Sequence, residues 1–486
     1  MKEIKDIVIV GGGTAGWMTA ATLIKFFPNK NITLIESNDI ATVGVGESTI
    51  AEIKNWLKAL DIKDTDFMKE CDASYKMAIK FTDFYDKDYG SFYYPFGGPY
   101  LENTYNGTLD WHVLKNNNSD LDLKDYIRSY YSAASLFEQN KISDKDTFDN
   151  FHIDSSVVYH FDASKFGLWL KDKYAKPKGV KHIISTIKNI KTNNMGIEYL
   201  ILEDGRNIES DIFIDCTGFQ SLLLNKTLKE EFISKKDVLP NNHAWAVQLP
   251  YKNKEIELEP FTNCTAISNG WCWNIPLWSR LGTGYVYSDK YISSEKALEE
   301  FKQYLMSDKM IVPRTESEIE NLNFKNIKMR VGIHKRTWVH NVVAIGLSAG
   351  FIEPLESNGL FTVHEFLFKL VDNIEQWDID KYNKETYKIY DDFLKFVALH
   401  YAFSKREDSQ YWRDIVKNKD VVDIKKSYNY SHHGIKAIMV GMNHIFDTPI
   451  KNVDQIKNNL DNNKNKWSLQ ASSEPTLYEF LNNLYK

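Results

Sequence analysis

The stretch KDIVIVGGGTAGWMTAATLIKFFPNKNITLIES, residues 5–37, decides the fold. It opens with a short β-branched run that is typical of a buried strand, and the glycines lead into a helix over 16–27 that Pro28 ends. NITLIES, residues 31–37, predicts a second strand. A strand, a helix and a strand in this order are typical of a parallel sheet, so the stretch predicts an α/β fold.

Three glycines between the predicted strand and helix have GxGxxG spacing: Gly11, Gly13 and Gly16. The first allows a tight turn, the second lets backbone approach a pyrophosphate, and the third lets helix and strand pack closely. Glu36 follows Gly16 by 20 residues, at the end of the second strand, where an acid accepts hydrogen bonds from ribose hydroxyls. We therefore predict a dinucleotide site.

NAD and FAD share this fingerprint, so other segments must distinguish them. DCTG (215–218) closes a later strand, Gly346 closes another, and GVGEST (44–49) follows the second strand. Each alone is typical of an ordinary turn, but together they resemble the FAD contacts of the flavin monooxygenase superfamily and favour FAD. The expected cofactor-binding residues are Gly11, Gly13, Thr14, Ala15, Gly16, Glu36, Gly46, Glu47, Ser48, Gly218 and Gly346.

Composition excludes several classes of protein. The net charge is −6 without a basic cluster, which argues against nucleic-acid binding. Four scattered cysteines give no zinc spacing, and no metal site is expected. The chain shows no signal peptide and no apolar run of membrane-spanning length, so a cytoplasmic protein without membrane contact is expected. Aromatic residues make up 14%, which fits either a large core or an aromatic-lined cavity.

The rest of the chain predicts further elements. In order, these are a helical segment (51–82), an aromatic loop (83–110), a hairpin around Glu203-Asp204-Gly205 (196–218), an antiparallel sheet (243–290), a buried strand (342–351), helices (358–397) and an apolar segment (434–443) in a Lys/Asn-rich tail. We predict a Rossmann-like FAD module of flavin monooxygenase type with an added antiparallel sheet over 1–375. A mainly helical C-terminal region over 376–486 is expected to cover the substrate pocket.

Five segments give a specific resemblance. They are GGGTAGWMTA (11–20), GVGEST (44–49), SYKMAIKF (74–81), GWCWNIP (270–276) and FIEPLESNG (351–359). Through these segments and their order along the sequence, the chain resembles a flavin-dependent halogenase of the tryptophan halogenase family over nearly its whole length. WxWxIP and FxxPxxSxG are the most specific of these signatures.

The resemblance implies that halide is oxidised at the flavin and that the arene is halogenated at a separate site. In this family reduced FAD and O2 convert halide to hypohalous acid, which crosses a tunnel to a separately held aromatic substrate. Two bulky tryptophans would wall the flavin off from that substrate, although without the other motifs they would be typical of core packing. The tunnel residues that the resemblance implies are Trp271, Trp273, Ile275, Pro276, Phe351 and Pro354.

The resemblance also assigns two catalytic residues. Lys76 matches the family's essential lysine, which either hydrogen-bonds hypohalous acid or becomes a haloamine; the sequence leaves both open. Lys80, one turn away in the predicted helix, is a weaker candidate for a catalytic role. Glu356 matches the glutamate that positions the electrophile and accepts the proton of the arene.

Ser357, Asn358 and Gly359 match the segment that binds halide through backbone N–H groups, near a helix start whose dipole favours anions. Halide is therefore an expected co-substrate. Tryptophan halogenases usually carry threonine where this chain has Asn358. A looser site admits bromide or iodide, and both are more easily oxidised than chloride.

The aromatic substrate is predicted to differ from free tryptophan. Tyr94 stands where the free-tryptophan enzymes supply a histidine, whereas Phe96 matches their phenylalanine. The segment 396–412 resembles the helix leading to the substrate cover, but no counterpart follows of the insert that grips tryptophan. Phenols, indoles or other electron-rich arenes are expected, and a carrier-bound substrate stays open.

No second nucleotide fingerprint is visible, so a separate NAD(P)H-dependent flavin reductase is expected to supply reduced FAD. The family commonly forms dimers, which leaves a homo-oligomer open. Two other functions fit parts of the pattern. An FAD-dependent aromatic hydroxylase would use the same fold without halide, and an FAD-binding sensor would keep the cradle without turnover.

Overall fold

The computed structural model describes residues 4–37, 47–118, 120–146, 148–428, 433–445 and 452–486. Gly46, predicted to contact FAD, lies outside these ranges. Within them, no helix is both long and apolar enough to cross a membrane.

The strands of the described residues are β1 (Asp6–Val10), β2 (Asn31–Glu36), β3 (Glu47–Ser48), β4 (Ser74–Lys76), β5 (Ala78–Thr82), β6 (Ser91–Pro95), β7 (Val158–Phe161), β8 (Lys181–Ile184), β9 (Ile187–Asn193), β10 (Gly196–Leu202), β11 (Asn207–Glu209), β12 (Ile212–Asp215), β13 (Phe232–Ser234), β14 (His243–Pro250), β15 (Phe261–Ile267), β16 (Gly270–Pro276), β17 (Arg280–Tyr287), β18 (Lys325–Lys328), β19 (Gly332–His334), β20 (Trp338–Val339), β21 (Val342–Ala344) and β22 (Gly350–Phe351).

The helices are α1 (Thr14–Phe26), α2 (Ile53–Ala59), α3 (Asp64–Phe67), α4 (Leu109–Asn117), α5 (Lys124–Tyr130), α6 (Ala133–Phe137), α7 (Ile153–Ser156), α8 (Ala163–Trp169), α9 (Lys254–Glu257), α10 (Ser294–Met306), α11 (Glu316–Glu320), α12 (Gly359–Asn373), α13 (Ile379–Ala402), α14 (Gln410–Val416), α15 (Lys419–Ser427), α16 (His433–Gly441), α17 (Val453–Ser472) and α18 (Leu477–Leu484). Two π-helical segments, Leu170–Ala175 and Leu222–Thr227, and three 3-10 turns, Gly218–Gln220, Gly346–Ser348 and Pro354–Glu356, complete the set.

The chain forms two compact units, each built from three segments. The first unit contains Met1–Asp72, Phe161–Asn242 and Lys328–Leu394, and the second contains Ala73–His160, His243–Ile327 and Lys395–Lys486.

A six-stranded sheet with the order β20-β21-β12-β1-β2-β8 is the centre of the first unit. Its pairs are parallel except β20 with β21. The four middle strands are short, β-branched and almost fully buried, because helices cover a parallel sheet on both faces. The predicted strand–helix–strand unit is confirmed as β1, α1 and β2, and with it the α/β fold class.

Two smaller sheets complete the first unit, with the orders β11-β10-β9 and β13-β19-β22. The predicted hairpin is confirmed, since β10 pairs antiparallel with β11 across the Glu203-Asp204-Gly205 turn. Its predicted second strand was wrong in part, because 212–215 form β12 in the parallel sheet. The predicted strand 342–351 is also shorter, and a 3-10 turn follows β21.

A seven-stranded sheet with the order β18-β14-β17-β16-β15-β5-β6 dominates the second unit. The pairs β14–β17, β17–β16, β16–β15 and β5–β6 are antiparallel, whereas β15 and β5 are parallel. This pairing confirms the antiparallel sheet predicted over 243–290. The prediction of helix over 51–82 was wrong beyond Phe67, because 74–76 and 78–82 are strands. The predicted loop 83–110 likewise contains strand β6.

Helices follow where the apolar spacing predicted them. α12 and most of α13 cover the predicted helical segment 358–397, and α16 forms from the apolar segment in the tail. In the second unit α16 lies against β6, and α10 packs on β17.

Candidate functional site

The glycine turn between β1 and α1 leaves no room for side chains. Gly11 has φ +112°, and a Cβ there would overlap the carbonyl of Cys216 on the neighbouring strand end. A Cβ at Gly16 would overlap the carbonyl of Gly11. Thr14 and Ala15 form the first turn of α1, which no side chain caps. Backbone N–H groups at an uncapped helix start suit the phosphates of a dinucleotide, so these residues fit the predicted cofactor.

Glu36 ends β2, as predicted, and is held in place by a second strand. Its Oε1 lies 2.6 Å from Nε2 of His182 on β8 and 3.9 Å from Nζ of Lys171. The sequence did not reveal His182, because the parallel pairing of β2 with β8 is what brings it to the acid.

The other predicted FAD contacts lie at the same edge of the sheet. Asp215, at the end of β12, accepts hydrogen bonds from the N–H groups of Leu223 and Leu224 at 2.7 and 3.0 Å, which fixes the turn that contains Gly218. Ser348 then donates to the Gly218 carbonyl at 3.1 Å. Gly346 has φ +68°, and a Cβ there would lie 3.0 Å from the Cβ of Ala15. The three turns thus converge beside the start of α1.

The FxxPxxSxG segment forms a tight turn that leads into α12. Glu356 ends the 3-10 turn and is buried, and Ser357 adopts a left-handed conformation with φ +59°. Asn358 is 1% exposed, and within the described ranges neither its side-chain nitrogen nor its side-chain oxygen has a hydrogen-bond partner. A buried, unsatisfied amide is costly, so a polar ligand at the helix start would stabilise this side chain.

Glu47 lies beside the same helix start. A Cβ on Gly359 would lie 3.4 Å from Oε2 of Glu47, which is van der Waals contact. Burial of the carboxyl, and secondarily the charge of Asp162, raise the pKa of Glu47 to about 7. Ser48, its neighbour, is 3% exposed. The carboxyl therefore changes charge near neutral pH, next to the predicted halide segment.

Phe351 and Pro354 lie on either side of a short extended step. The Phe351 ring packs edge-on against Phe219 at 5.5 Å, and Pro354 opens the 3-10 turn. Glu353, between them, is fully buried and accepts a hydrogen bond from Asn241 Nδ2 at 3.0 Å. That bond assigns Glu353 to the structure of the turn.

The WxWxI pattern has a simple origin in the second unit: all seven residues of GWCWNIP form strand β16. Alternate side chains of a strand share a face, so Trp271, Trp273 and Ile275 lie on one face, and Cys272 and Asn274 lie on the other. Asn274 donates a hydrogen bond to a tyrosine hydroxyl of α10 at 2.9 Å, and Cys272 belongs to the core cluster beneath that helix.

The two tryptophans form one aromatic surface. Their ring centroids are 6.2 Å apart, and Trp271 is 1% exposed. The Trp273 ring lies directly over Gly284 of β17, where any Cβ would overlap it. Among the described residues the Trp271 indole N–H has no hydrogen-bond partner. The sequence did not single out Gly284, although only glycine leaves space for this ring.

Lys76 ends strand β4 and is fully buried, with Nζ 4.8 Å from the centroid of the Phe96 ring. Phe96 in turn lies 5.8 Å from Tyr94, which lies 6.0 Å from Phe396 of α13. Helix α16 packs closely against this row of rings. A Cβ at Gly434 would lie only 2.7 Å from the Tyr94 ring. The structure thus brings the predicted lysine and both predicted aromatic residues together.

A hydrogen-bonded group next to Lys76 was missed by sequence reasoning. His160 is fully buried; its Nε2 lies 2.9 Å from Thr262 Oγ1 and its Nδ1 3.4 Å from Ser74 Oγ. Ser74 donates to the carbonyl of Pro276, the last residue of β16. Burial, and secondarily the charge of Lys76, hold the pKa of His160 well below its usual range.

Lys80 occupies a different environment. It lies on β5, opposite Tyr93 of β6 and Asn263 of β15, rather than on a shared helix with Lys76. Glu259, whose charge interacts with Lys80, has its pKa raised to about 7, first by burial. The predicted helical relation between the two lysines was therefore wrong.

Comparisons with known proteins find relatives both by sequence and by structure. The sequence profile of the tryptophan halogenase family matches residues 6–449. The tryptophan 6-halogenase SttH of Streptomyces toxytricini is 34% identical over 444 residues, which are 86% of this chain and 82% of that protein. The VirX1 apo structure has a TM-score of 0.92 at 34% identity and covers 99% of both chains. Xcc4156, a flavin-dependent halogenase from Xanthomonas campestris, has a TM-score of 0.88 at 26% identity, again over 99% of both chains.

Proposed function

The chain belongs to the tryptophan halogenase family of flavin-dependent enzymes, and we propose that it halogenates an electron-rich arene through hypohalous acid delivered to Lys76 and Glu356. The observation that carries the proposal is the position of Lys76. Its ammonium is fully buried against the Phe96 ring, beside the aromatic row that Tyr94 continues. Lysine is among the residues that are least often fully buried in proteins.

Reduced FAD, when bound in the glycine cradle, would supply two electrons and two protons to O2, while a halide ion supplies two more electrons and the solvent one more proton, which yields hypohalous acid and water. The cradle residues bind the phosphates through the start of α1, and Glu36 accepts from the ribose. We propose that the hypohalous acid then travels along a tunnel, with Trp271 and Trp273 keeping the arene from the flavin. The burial of both rings, with Trp273 over Gly284, supports this role.

Lys76 acts on the hypohalous acid in one of two ways. As an ammonium it donates a hydrogen bond to the oxygen and polarises the oxygen–halogen bond, and the leaving hydroxide takes its proton. As a free amine it takes the halogen, releases water and holds the halogen as a haloamine. In both cases a carbon–halogen bond forms on the arene, and the Glu356 carboxylate accepts the proton that the ring loses.

The halide site at Ser357, Asn358 and Gly359 is part of the proposal. The unsatisfied amide of Asn358 supports it, because its N–H2 group supplies two donors beside the start of α12. The amide replaces the threonine that tryptophan halogenases usually carry, and bromide and iodide are more easily oxidised than chloride, so we propose that bromide or iodide is accepted at least as well as chloride.

The proposed arene is a phenol, an indole or a related electron-rich ring, free or carrier-bound, rather than free tryptophan. Tyr94 offers a ring and a hydroxyl where the free-tryptophan enzymes have histidine, and α16 closes on that ring. A separate flavin reductase supplies reduced FAD, and we retain the predicted cytoplasmic location as part of this proposal.

The test is a reaction with FAD, a flavin reductase, halide and an arene library that includes phenols, read by mass spectrometry. Products should carry the mass of the added halogen. Lys76→Ala should lower arene halogenation at least about 100-fold while FAD binding persists. Lys80→Ala is the matched control and should stay within a few-fold of the unmodified protein. Halogenation that survives Lys76→Ala would contradict the proposal.

The same reaction tests the aromatic hydroxylase. That alternative predicts oxygen incorporation without halide and direct oxidation of NAD(P)H without a reductase. The family relationship does not favour it.

A further inference from the structure

His160 connects four strands around Lys76. It lies on β7, which pairs antiparallel with β4, so that His160 is opposite Ser74 and Val158 is opposite Lys76. Its ring reaches Thr262 on β15, and Ser74 reaches the carbonyl of Pro276 at the end of β16. Ser74 and Lys76 point to the same face of β4, because they are two residues apart on a strand.

The hydrogen-bond directions in this group are determined by the proton inventory. Ser74 has one hydroxyl proton, and it goes to the Pro276 carbonyl, which has none to offer. The contact between Ser74 Oγ and His160 Nδ1 therefore uses a proton on Nδ1. Nε2 is then unprotonated and accepts from the Thr262 hydroxyl at 2.9 Å. Of the two neutral tautomers, only the Nδ1–H form satisfies these bonds.

The charge balance agrees with this assignment. Lys76 is the charged group that acts on the buried imidazole, while Ser74, Thr262 and the Pro276 carbonyl are uncharged. A second positive charge next to a buried ammonium would be costly, so burial and Lys76 together keep His160 neutral.

We propose that His160 is a positioning residue for Lys76: in its neutral Nδ1–H form it ties β4 to the end of β16 and thereby fixes the Lys76 ammonium against the Phe96 ring. The proposal rests on the proposed function, in which Lys76 acts on hypohalous acid. It assigns His160 no contact with the arene. A displaced ammonium would still meet hypohalous acid but would transfer halogen to the arene inefficiently, and the acid would escape.

The activity test compares His160→Phe, which removes both hydrogen bonds, with His160→Asn, whose amide retains a donor near the position of Nδ1. Arene product and escaped hypohalous acid, trapped by a small β-diketone, are measured together. His160→Phe should lower arene product about 10- to 100-fold without lowering the total of product and trapped halogen to the same extent. His160→Asn should restore part of the product. Equal product-to-trap ratios in His160→Phe and the unmodified protein would overturn the proposal.

Lys76→Ala in the same assay separates this inference from the proposed function. If Lys76→Ala still halogenates the arene, the proposed function fails. If Lys76→Ala is inactive and His160→Phe is unimpaired, only the role of His160 fails. Should His160→Phe not fold, Thr262→Val and Thr262→Ser are compared instead. The ratio of arene product to trapped halogen should fall in Thr262→Val and stay unchanged in Thr262→Ser. Equal ratios in the two variants would contradict the role of His160.

The tautomer can be measured without any turnover. Nitrogen-15 spectra of histidine-labelled protein, with His160→Asn to assign the resonance, should show a protonated Nδ1 and an unprotonated Nε2 from pH 6 to 8. A proton on Nε2, or an imidazolium within that range, would overturn the assignment.

Discussion

The hydroxyl of Ser74 donates a hydrogen bond to the carbonyl oxygen of Pro276, and both residues are buried. Ser74 lies two residues before Lys76, and Pro276 ends the strand of the two tryptophans. The proline of the WxWxIP signature is therefore more than a stop after an apolar step: its carbonyl anchors the strand that carries the lysine. This hydrogen bond therefore joins the segment of Lys76 directly to the WxWxIP segment.

Ser74→Ala should destabilise the second unit. The change leaves the buried Pro276 carbonyl and the His160 N–H without this partner, so the free energy of unfolding should fall by about 1–3 kcal/mol. Chemical denaturation followed by tryptophan fluorescence measures it. Ser91→Ala, at the half-buried start of β6, should change the free energy by less than about 0.5 kcal/mol. An unchanged free energy of unfolding in Ser74→Ala would show that the hydrogen bond to Pro276 contributes nothing to stability.

Glu47 should make stability depend on pH near neutrality. Its pKa is about 7 in the folded protein and 4.5 in a model peptide, so the folded state holds this proton more tightly. The contribution is full below about pH 4.5, falls as the pH rises between the two values, and is absent above about pH 7; at most it amounts to about 3 kcal/mol. Glu47→Gln should flatten this part of the profile.

The control for that profile is Glu259, whose pKa is also about 7. Glu259→Gln should remove a separate part of the pH dependence, and the double variant should remove both. Urea midpoints between pH 4.5 and 8 provide the measurement. A profile of Glu47→Gln that superimposes on that of the unmodified protein would show that this carboxyl ionises normally.

Gly434→Ala should change which arenes are accepted. The added methyl would lie 2.7 Å from the Tyr94 ring and must displace either that ring or helix α16. Product yields across a set of arenes of increasing size should be reordered, with halide dependence unchanged. Gly441→Ala, two turns further along α16, overlaps Phe92 instead and should destabilise the protein without reordering the arenes. An identical reordering by both variants would contradict the role of Tyr94.

Asn358→Thr should shift halide preference towards chloride. It replaces the unsatisfied amide by the hydroxyl that tryptophan halogenases usually carry. The ratio of bromide to chloride product in competition should fall about tenfold, which corresponds to about 1.4 kcal/mol. Asn321→Thr, on the exposed end of α11, is the control and should leave the ratio unchanged. A constant ratio in Asn358→Thr would remove the amide from the halide site.

The nucleotide half of the site could be predicted from sequence because its information is local. Strand, glycines, helix and acid follow one another within 5–37, and each has a steric reason that the structure confirms at Gly11 and Gly16. The division of the chain at residue 375 and the roles of the site residues stay predictions.

The lysine segment was mispredicted for a physical reason. Apolar residues alternate as in a strand at Tyr75, Met77, Ile79 and Phe81, but Lys76 and Ala78 between them are buried as well. The alternation of apolar and polar residues that indicates a strand is therefore obscured. The His160 group could not be predicted at all. Its members come from three stretches that are distant in sequence, and the pairing of β4 with β7 is what places His160 opposite Ser74.

The alternation of the two compact units along the chain has a consequence for how the protein is made. Each unit needs three separate stretches, and the polypeptide passes between them five times. On the ribosome the first unit cannot close before residue 394 has emerged, by which time most of the second unit's sequence is already synthesised and waiting for its last stretch. A premature stop or a proteolytic loss of the final stretch therefore leaves an incomplete half carrying the lysine, whereas the flavin-cradle half has all of its segments.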